Sequence, residues 1–144
     1  MAYRDVGALI AGQDTVTLAP AASAQEAAEA MAERRIGAIA VVEDGKLRGI
    51  FTERDLLNRV VAKGLQPREV RLEEVMTKDP VTVESDTAVV PCIEIMFNRK
   101  FRHMPVTRDG RVVGVLSCRD IPVNYFNLHE RWEFAMNELR PAAP

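Results

Sequence analysis

Gly49-Ile50-Phe51-Thr52-Glu53-Arg54-Asp55 recurs 65 residues later as Gly114-Val115-Leu116-Ser117-Cys118-Arg119-Asp120. The same offset matches Val16-Thr17 with Val81-Thr82, Glu29 with Glu94, Met31 with Met96 and Arg34 with Arg99. It also matches Val41 with Val106 and Asp44-Gly45 with Asp109-Gly110, and no gap is needed from Val16 to Asp120. A fixed period that repeats both turns and apolar positions describes one supersecondary unit built twice. Two such units can pair about a pseudo-twofold axis, and that pairing makes two related clefts.

Outward from the motif, each copy reads β-α-β-β-α. A short strand comes first, Thr15–Leu18 and Pro80–Val83. A helix follows: Ser23 and Glu26 have capping-box spacing, and Ala27, Ala28, Met31 and Ala32 share a face. In the second copy Val89, Ile93, Met96 and Phe97 recur at i, i+4, i+7 and i+8. Next comes a hairpin around Asp44-Gly45 or Asp109-Gly110, a strong turn signal between apolar runs. Pro105 has no N–H for a ladder and is expected at a strand start or edge. A second helix opens at Thr52 and runs toward Gly64; its counterpart opens at Ser117, with Pro122 tolerated near its first turn. The expected fold is α/β (α+β), two β-α-β-β-α repeats packed with pseudo-twofold symmetry.

Leu65 to Met76 link the halves, with Leu72, Val75 and Met76 apolar. In the tail, Leu128, Trp132, Ala135 and Leu139 share a helical face, and Pro141 stops that helix. Two packing partners are open to it, the body of the protein and a second subunit.

The 47% apolar share supports a core, and 28% charged residues suit a soluble surface. A net charge of -2 exerts no global pull toward nucleic acid. No apolar run approaches a membrane span, and Met1 to Asp5 lack the form of a signal peptide. Cys92 and Cys118 suit a reducing compartment better than a disulfide framework, so a cytoplasmic location is expected.

Thr52-x-x-Asp55 and Ser117-x-x-Asp120 both have the spacing of a helix cap, which is the plain reading of either alone. Their duplication together with Gly and Arg points further. A helix N-terminus offers free N–H groups, and a hydroxyl beside a carboxylate can hold a diol such as ribose. Arg54 and Arg119 lie adjacent, where a guanidinium can meet a phosphate. Other chemistry is poorly supported. His103, His129, Cys92 and Cys118 have no metal-ligand spacing, no phosphate loop is present, and no nucleophile–base pair suggests an enzyme. Cys118 stands where the first copy has Glu53, so a passive role is favoured over reactivity. Met31, Met96 and Met136 read as core.

With these motifs in place, the chain resembles a tandem pair of CBS domains, the repeat named after cystathionine β-synthase, together called a Bateman module. The resemblance covers about Asp5 to Asn124. Gly49–Asp55, Met76-Thr77-x-x-Pro80-Val81-Thr82-Val83 and Arg102-His103-Met104-Pro105-Val106 carry it. It implies a stand-alone CBS-domain protein with repeats at residues 5–64 and 65–124 and a C-terminal amphipathic helix and tail at 125–144. It implies regulatory binding of AMP, ADP, ATP, NAD or S-adenosylmethionine, with no catalytic cofactor. The hydroxyl and carboxylate would hold ribose, and the base would lie on residues of the other repeat. Carried over, one cleft takes Thr52 and Asp55 with Thr82, Met104, Pro105 and Val106; the other takes Ser117 and Asp120 with Thr17, Ile39, Ala40 and Val41. Arg54, Arg119, Arg102 and His103 are the phosphate candidates. Arg99 and Lys100 read equally as a solvated basic face. Gly37 and Ala38 stand where the second copy has Arg102 and His103, so two unequal clefts are expected.

The function that follows is a ligand sensor, a homodimer that signals by a conformational or dimer rearrangement to a downstream protein the sequence does not name. The competing reading is a structural dimerisation module with empty clefts. Two retained hydroxyl–carboxylate pairs with neighbouring arginines favour the sensor.

Overall fold

The computed structural model describes residues 3–127, and the helix expected over Leu128–Leu139, with Trp132 and Met136, lies outside them. From the N-terminus the chain forms α1 (Val6–Leu9), β1 (Thr17–Leu18), α2 (Ala24–Arg34), β2 (Ala38–Glu43) and β3 (Lys46–Thr52). A short helix follows, α3 (Glu53–Asp55), continued by a π-helical stretch, Leu56–Val61. Then come α4 (Leu72–Val75), β4 (Thr77–Lys78), β5 (Val83–Glu84), α5 (Val89–Arg99), β6 (His103–Arg108), β7 (Arg111–Ser117) and, after a 3-10 turn at Cys118–Asp120, α6 (Val123–Asn127). Two copies of a β-α-β-β-α-like unit thus form two sheets, ordered β1-β2-β3-β4 and β5-β6-β7.

Both hairpins are two-residue turns. Asp44 and Gly45 have φ of 52° and 76°, and Asp109 and Gly110 have 52° and 78°. Two left-handed residues in succession match the right-handed twist of the flanking strands. Each hairpin carries a bulge at the same place. Val41 pairs with Gly49 and Val42 with Leu47; Val106 pairs with Gly114 and Thr107 with Val112. The extra residues, Arg48 and Val113, are 65 apart in sequence, so the irregularity is itself duplicated.

The first helix of each copy forms as its pattern requires. Ser23 Oγ accepts from the Glu26 N–H, and Glu26 returns a carboxylate to the Ser23 N–H. Ala24, Ala27 and Met31 face the core of the first half, while Ala28 is half-buried and Ala32 exposed. Val89, Cys92, Ile93, Met96 and Phe97 are buried in the second half.

The two cores are completed crosswise. Val6, Leu9 and Ile10, from the N-terminal lead-in, pack into the core of the second half. Val70, Leu72, Val75 and Met76, from the segment between the halves, pack into the core of the first. Each lead-in also covers the outer edge of a hairpin. β4 pairs with β3, Gly49 opposite Lys78 and Ile50 opposite Thr77. On β7, the Gln13 amide does that work: its Nε2 donates to the Val115 carbonyl at 3.0 Å, and its Oε1 accepts from the Val115 N–H at 3.1 Å.

The crossing explains the first residue of the repeated motif. A Cβ on Gly49 would lie 2.5 Å from Met76 Sδ and 2.7 Å from the Thr77 carbonyl. One on Gly114 would lie 2.6 Å from Ile10 Cδ1 and 2.9 Å from Gln13 Oε1. Both glycines make room for a lead-in.

Two proline expectations need correction. Pro105 is the third residue of β6 and fully buried, not at a strand start. It is tolerated because Val115, opposite it, turns its N–H and C=O outward to Gln13, so the pair needs no bond from position 105. On its other side β5 pairs only from Val106 onward, one residue later than β1 begins on β2. The first strands are also shorter than the expected four residues. The helix expected from Ser117 is interrupted. Ile121, before Pro122, is extended (φ -87°, ψ 120°), and α6 starts only at Val123. A residue preceding proline is pushed out of the helical region, which cuts the segment in two.

Candidate functional site

β3 and β7 each end at a hydroxyl residue that caps the following turn. The Asp55 N–H donates to Thr52 Oγ1 at 3.1 Å, and the Thr52 N–H donates to Asp55 Oδ2 at 3.0 Å. In the second copy the Ser117 N–H donates to Asp120 Oδ2 at 2.7 Å, and the Arg119 N–H donates to Ser117 Oγ at 3.2 Å. The plain reading of the motif is therefore realised in both copies. Capping does not exhaust these groups, because an ionised carboxylate has about four lone-pair sites. The spare capacity is used unequally. Arg59 Nε lies 3.5 Å from Asp55 Oδ1, while Gln13 Nε2 donates to Asp120 Oδ2 at 3.4 Å. Asn124 occupies the position equivalent to Arg59.

Each motif faces the other copy across a cleft. Ser117, Arg119 and Asp120 line a cleft of about 460 Å³ with Thr15, Val16, Ile36, Gly37 and Ala38. Thr52, Arg54 and Asp55 line one of about 650 Å³ with Pro80, Val81, Phe101, Arg102, His103 and Pro105. Both volumes fall within the range of about 300–1,000 Å³ usual for small-molecule sites.

Other expected residues lie elsewhere. Thr17 and Thr82 are exposed and line neither cleft; the residues just before them, Thr15-Val16 and Pro80-Val81, do. Ile39, Ala40, Val41, Met104 and Val106 are fully buried in or beside the two cores. β2 and β6 start at the clefts and run inward, so only their first residues and the approaches to them reach the openings. Pro105 is the exception, as a cleft residue well inside its strand.

Several lining residues were not singled out as site candidates in the sequence: Gln13, Thr15, Val16, Ile36, Glu53 and Phe101 among them. The offset carries a signal for the lead-in, since Asp14 matches Asp79 and each lines one cleft.

The basic residues are arranged more evenly than the sequence contrast implied. Arg35 and Lys100 are equivalent, end α2 and α5 with left-handed φ of 55° and 59°, and line one cleft each. Such a conformation is unfavourable for a side chain with a Cβ and is more often taken by glycine. Arg54 and Arg119 are likewise equivalent. Arg34 is ion-paired with Asp14 on the surface. Arg102 has no basic counterpart, since Gly37 stands in its place. His103 lines both clefts. Burial is the main influence on its imidazole and pushes the pKa below the usual value; Glu53 and Asp120 oppose this, while Arg119 and Arg102 add to it.

Cys118 lines neither cleft and packs against the second core. Cys92 is fully buried, and burial pushes its thiol up to about 12. Among the described residues no group of three or more His, Cys, Asp or Glu could hold a metal ion.

Comparison with known proteins follows the same division of the chain. The family profile of the CBS domain matches residues 6–62 and again residues 72–121. The protein MK0525 of Methanopyrus kandleri, itself uncharacterised, is 35% identical over 114 residues, which are 78% of this chain and 58% of that protein. The chain thus spans little more than half the length of this relative. Among solved structures, the CBS domain protein PAE2072 from Pyrobaculum aerophilum, complexed with AMP, superposes with a TM-score of 0.74 at 25% identity, over 93% of this chain and 98% of that one. The CBS domain pair of protein MJ0100, in complex with 5′-methylthioadenosine and S-adenosyl-L-methionine, gives 0.75 at 26% identity, over 87% and 98%. Two family matches on one chain, on two copies of one fold that meet at two crossed clefts, place this protein in the CBS-domain family as a tandem pair.

Proposed function

We propose that the chain is a regulatory module that binds adenosine-containing ligands in its two clefts and transmits occupancy as a change of shape or of subunit arrangement. The observation that carries this reading is the crossing. The hydroxyl and carboxylate of each copy face, across a cleft, the lead-in and strand start of the other. A ligand held there bridges the halves and alters how they sit together. In this reading Thr52 with Asp55, and Ser117 with Asp120, take the ribose hydroxyls. In the same reading Arg54, Arg102, Arg119 and His103 meet the phosphate. The AMP and S-adenosyl-L-methionine complexes of the two related structures supply the ligand class. The proposed form is a cytoplasmic homodimer that acts on a separate protein.

A second reading has one observation in its favour. Both carboxylates already serve as caps, and Leu57, Val61 and Leu65 expose 59%, 56% and 44% of their surface on the segment after Thr52. A dimerisation module with empty clefts would need no more. Thermal denaturation with AMP, ADP, ATP, NAD and S-adenosylmethionine separates the two. A ligand at 100 times its dissociation constant adds about 2.7 kcal/mol of stability. A rise in melting temperature with any of them supports the sensor; no rise with all five at millimolar concentration overturns it.

A further inference from the structure

Two side chains, Glu53 and His103, form part of the wall of both clefts, and His103 is the one with an N–H to donate. The His103 ring lies against Gly37 so closely that a Cβ there would sit 3.0 Å from Nε2 and 3.2 Å from Cε1. Gly37 lines one cleft only, and His103 lines both. Its equivalent in the first copy is Ala38, so the pseudo-twofold axis supplies no second imidazole. The charged groups facing the ring are Glu53 at the start of α3, Arg102 before β6, and Arg119 and Asp120 after β7. Burial outweighs the carboxylates among them and keeps the ring neutral near pH 7.5. A neutral imidazole has a single N–H to donate.

We propose that His103 makes the two clefts antagonistic: a phosphate that takes its N–H from one cleft leaves none for a phosphate in the other. This rests on the nucleotide-binding reading above and adds that the two sites compete for one donor. A ligand without phosphate makes no such demand.

The test is titration calorimetry at pH 7.5 with AMP and with adenosine. Asp55→Ala and Asp120→Ala each leave one cleft intact and report its affinity alone. In the unaltered protein the second AMP should bind about fivefold or more weaker than the same cleft does alone. Adenosine should show no such penalty. His103→Ala should abolish the AMP penalty, and so should His103→Leu, which keeps the bulk of the ring without its donor. A penalty that survives in both His103 variants, or that adenosine shows equally, overturns the proposal. So does the absence of a penalty in a protein whose single-cleft variants both bind AMP. If one single-cleft variant binds no AMP, the coupling falls and the nucleotide-binding reading stands. If neither AMP nor adenosine binds any form, both fall together.

Discussion

The outer strands of the two hairpins are equivalent in sequence, yet they are closed by different chemistry. β3 receives a strand, with Gly49 and Ile50 paired to Lys78 and Thr77. β7 receives side chains, the Gln13 amide on Val115 and the Thr15 hydroxyl on the Val113 carbonyl at 2.9 Å. Both bulge carbonyls accept from a lead-in, but not from equivalent residues: Arg48 accepts from the Asp79 N–H, and Val113 from the hydroxyl of Thr15, one position beyond the equivalent Asp14. The duplication thus preserved where a bond is needed and let its donor change. A primary amide carries a donor and an acceptor side by side, so Gln13 can stand in for one residue of a strand. The substitution has a consequence for the site. The same Gln13 amide also reaches Asp120, whereas Asp55 is held by Arg59. One carboxylate is tied to the lead-in of the other half, and its twin to a cation of its own helix.

The sharpest way to break the proposed equivalence of the two motifs is to remove each carboxylate. Asp55→Ala and Asp120→Ala should each weaken ligand binding in one cleft by about ten- to hundredfold, the loss of a charge-assisted bond of roughly 1.5–3 kcal/mol, as calorimetry would read it. The accompanying loss of a cap should cost only about 1 kcal/mol of stability. Full binding with a markedly lower melting point in both variants would reduce the motif to a cap.

The glycines test the two edges against each other. Gly49→Ala meets the Thr77 carbonyl, a backbone atom in a paired strand, as well as Met76, and should cost about 1–3 kcal/mol in a denaturant titration. Gly114→Ala meets side-chain atoms of Ile10 and Gln13 that can move aside, so its loss should be smaller. Equal losses would mean that Gln13 holds its edge as firmly as β4 does.

Arg102 is an arginine of the Thr52–Asp55 cleft with no basic counterpart in the other repeat. Arg102→Ala should lower the preference for AMP over adenosine about tenfold in the Thr52–Asp55 cleft and leave the other cleft nearly unchanged. An unaltered preference would assign phosphate recognition to Arg54, Lys100 or His103.

The smallest effect concerns pH. The folded pKa of His103 lies below its ordinary value because of burial. The neutral ring therefore favours the folded state fully above the unfolded pKa of about 6.5, and that contribution is lost as pH falls through the folded one. Between pH 7.5 and 5.5 the unaltered protein should lose more thermal stability than His103→Leu does. Parallel pH profiles would show that the ring titrates as freely in the folded protein as in the unfolded chain.

Local sequence determined a good deal of this molecule. The Asp-Gly turns, the Ser23–Glu26 box, the two motif caps and the buried faces of α2 and α5 are set by residues within a few positions of one another. The 65-residue offset showed that two like units are present, and the family resemblance supplied the crossed pairing of motif and opposite half. Tertiary structure decided the rest. Which half each lead-in joins depends on contacts between distant segments, such as Met76 against Gly49 and Ile10 against Gly114, and no local pattern encodes them. The same is true of depth along β2 and β6. The apolar runs predicted burial, but only packing decided that Ile39 to Val41 belong to the core while Pro105 reaches a cleft. Pro122 was legible as a residue, but the break it makes depends on its neighbour Ile121 being forced into extended backbone. His103 shows the limit most plainly. In the sequence it is one half of a basic pair in one repeat; only the meeting of two repeats at Gly37 makes it a wall of both clefts.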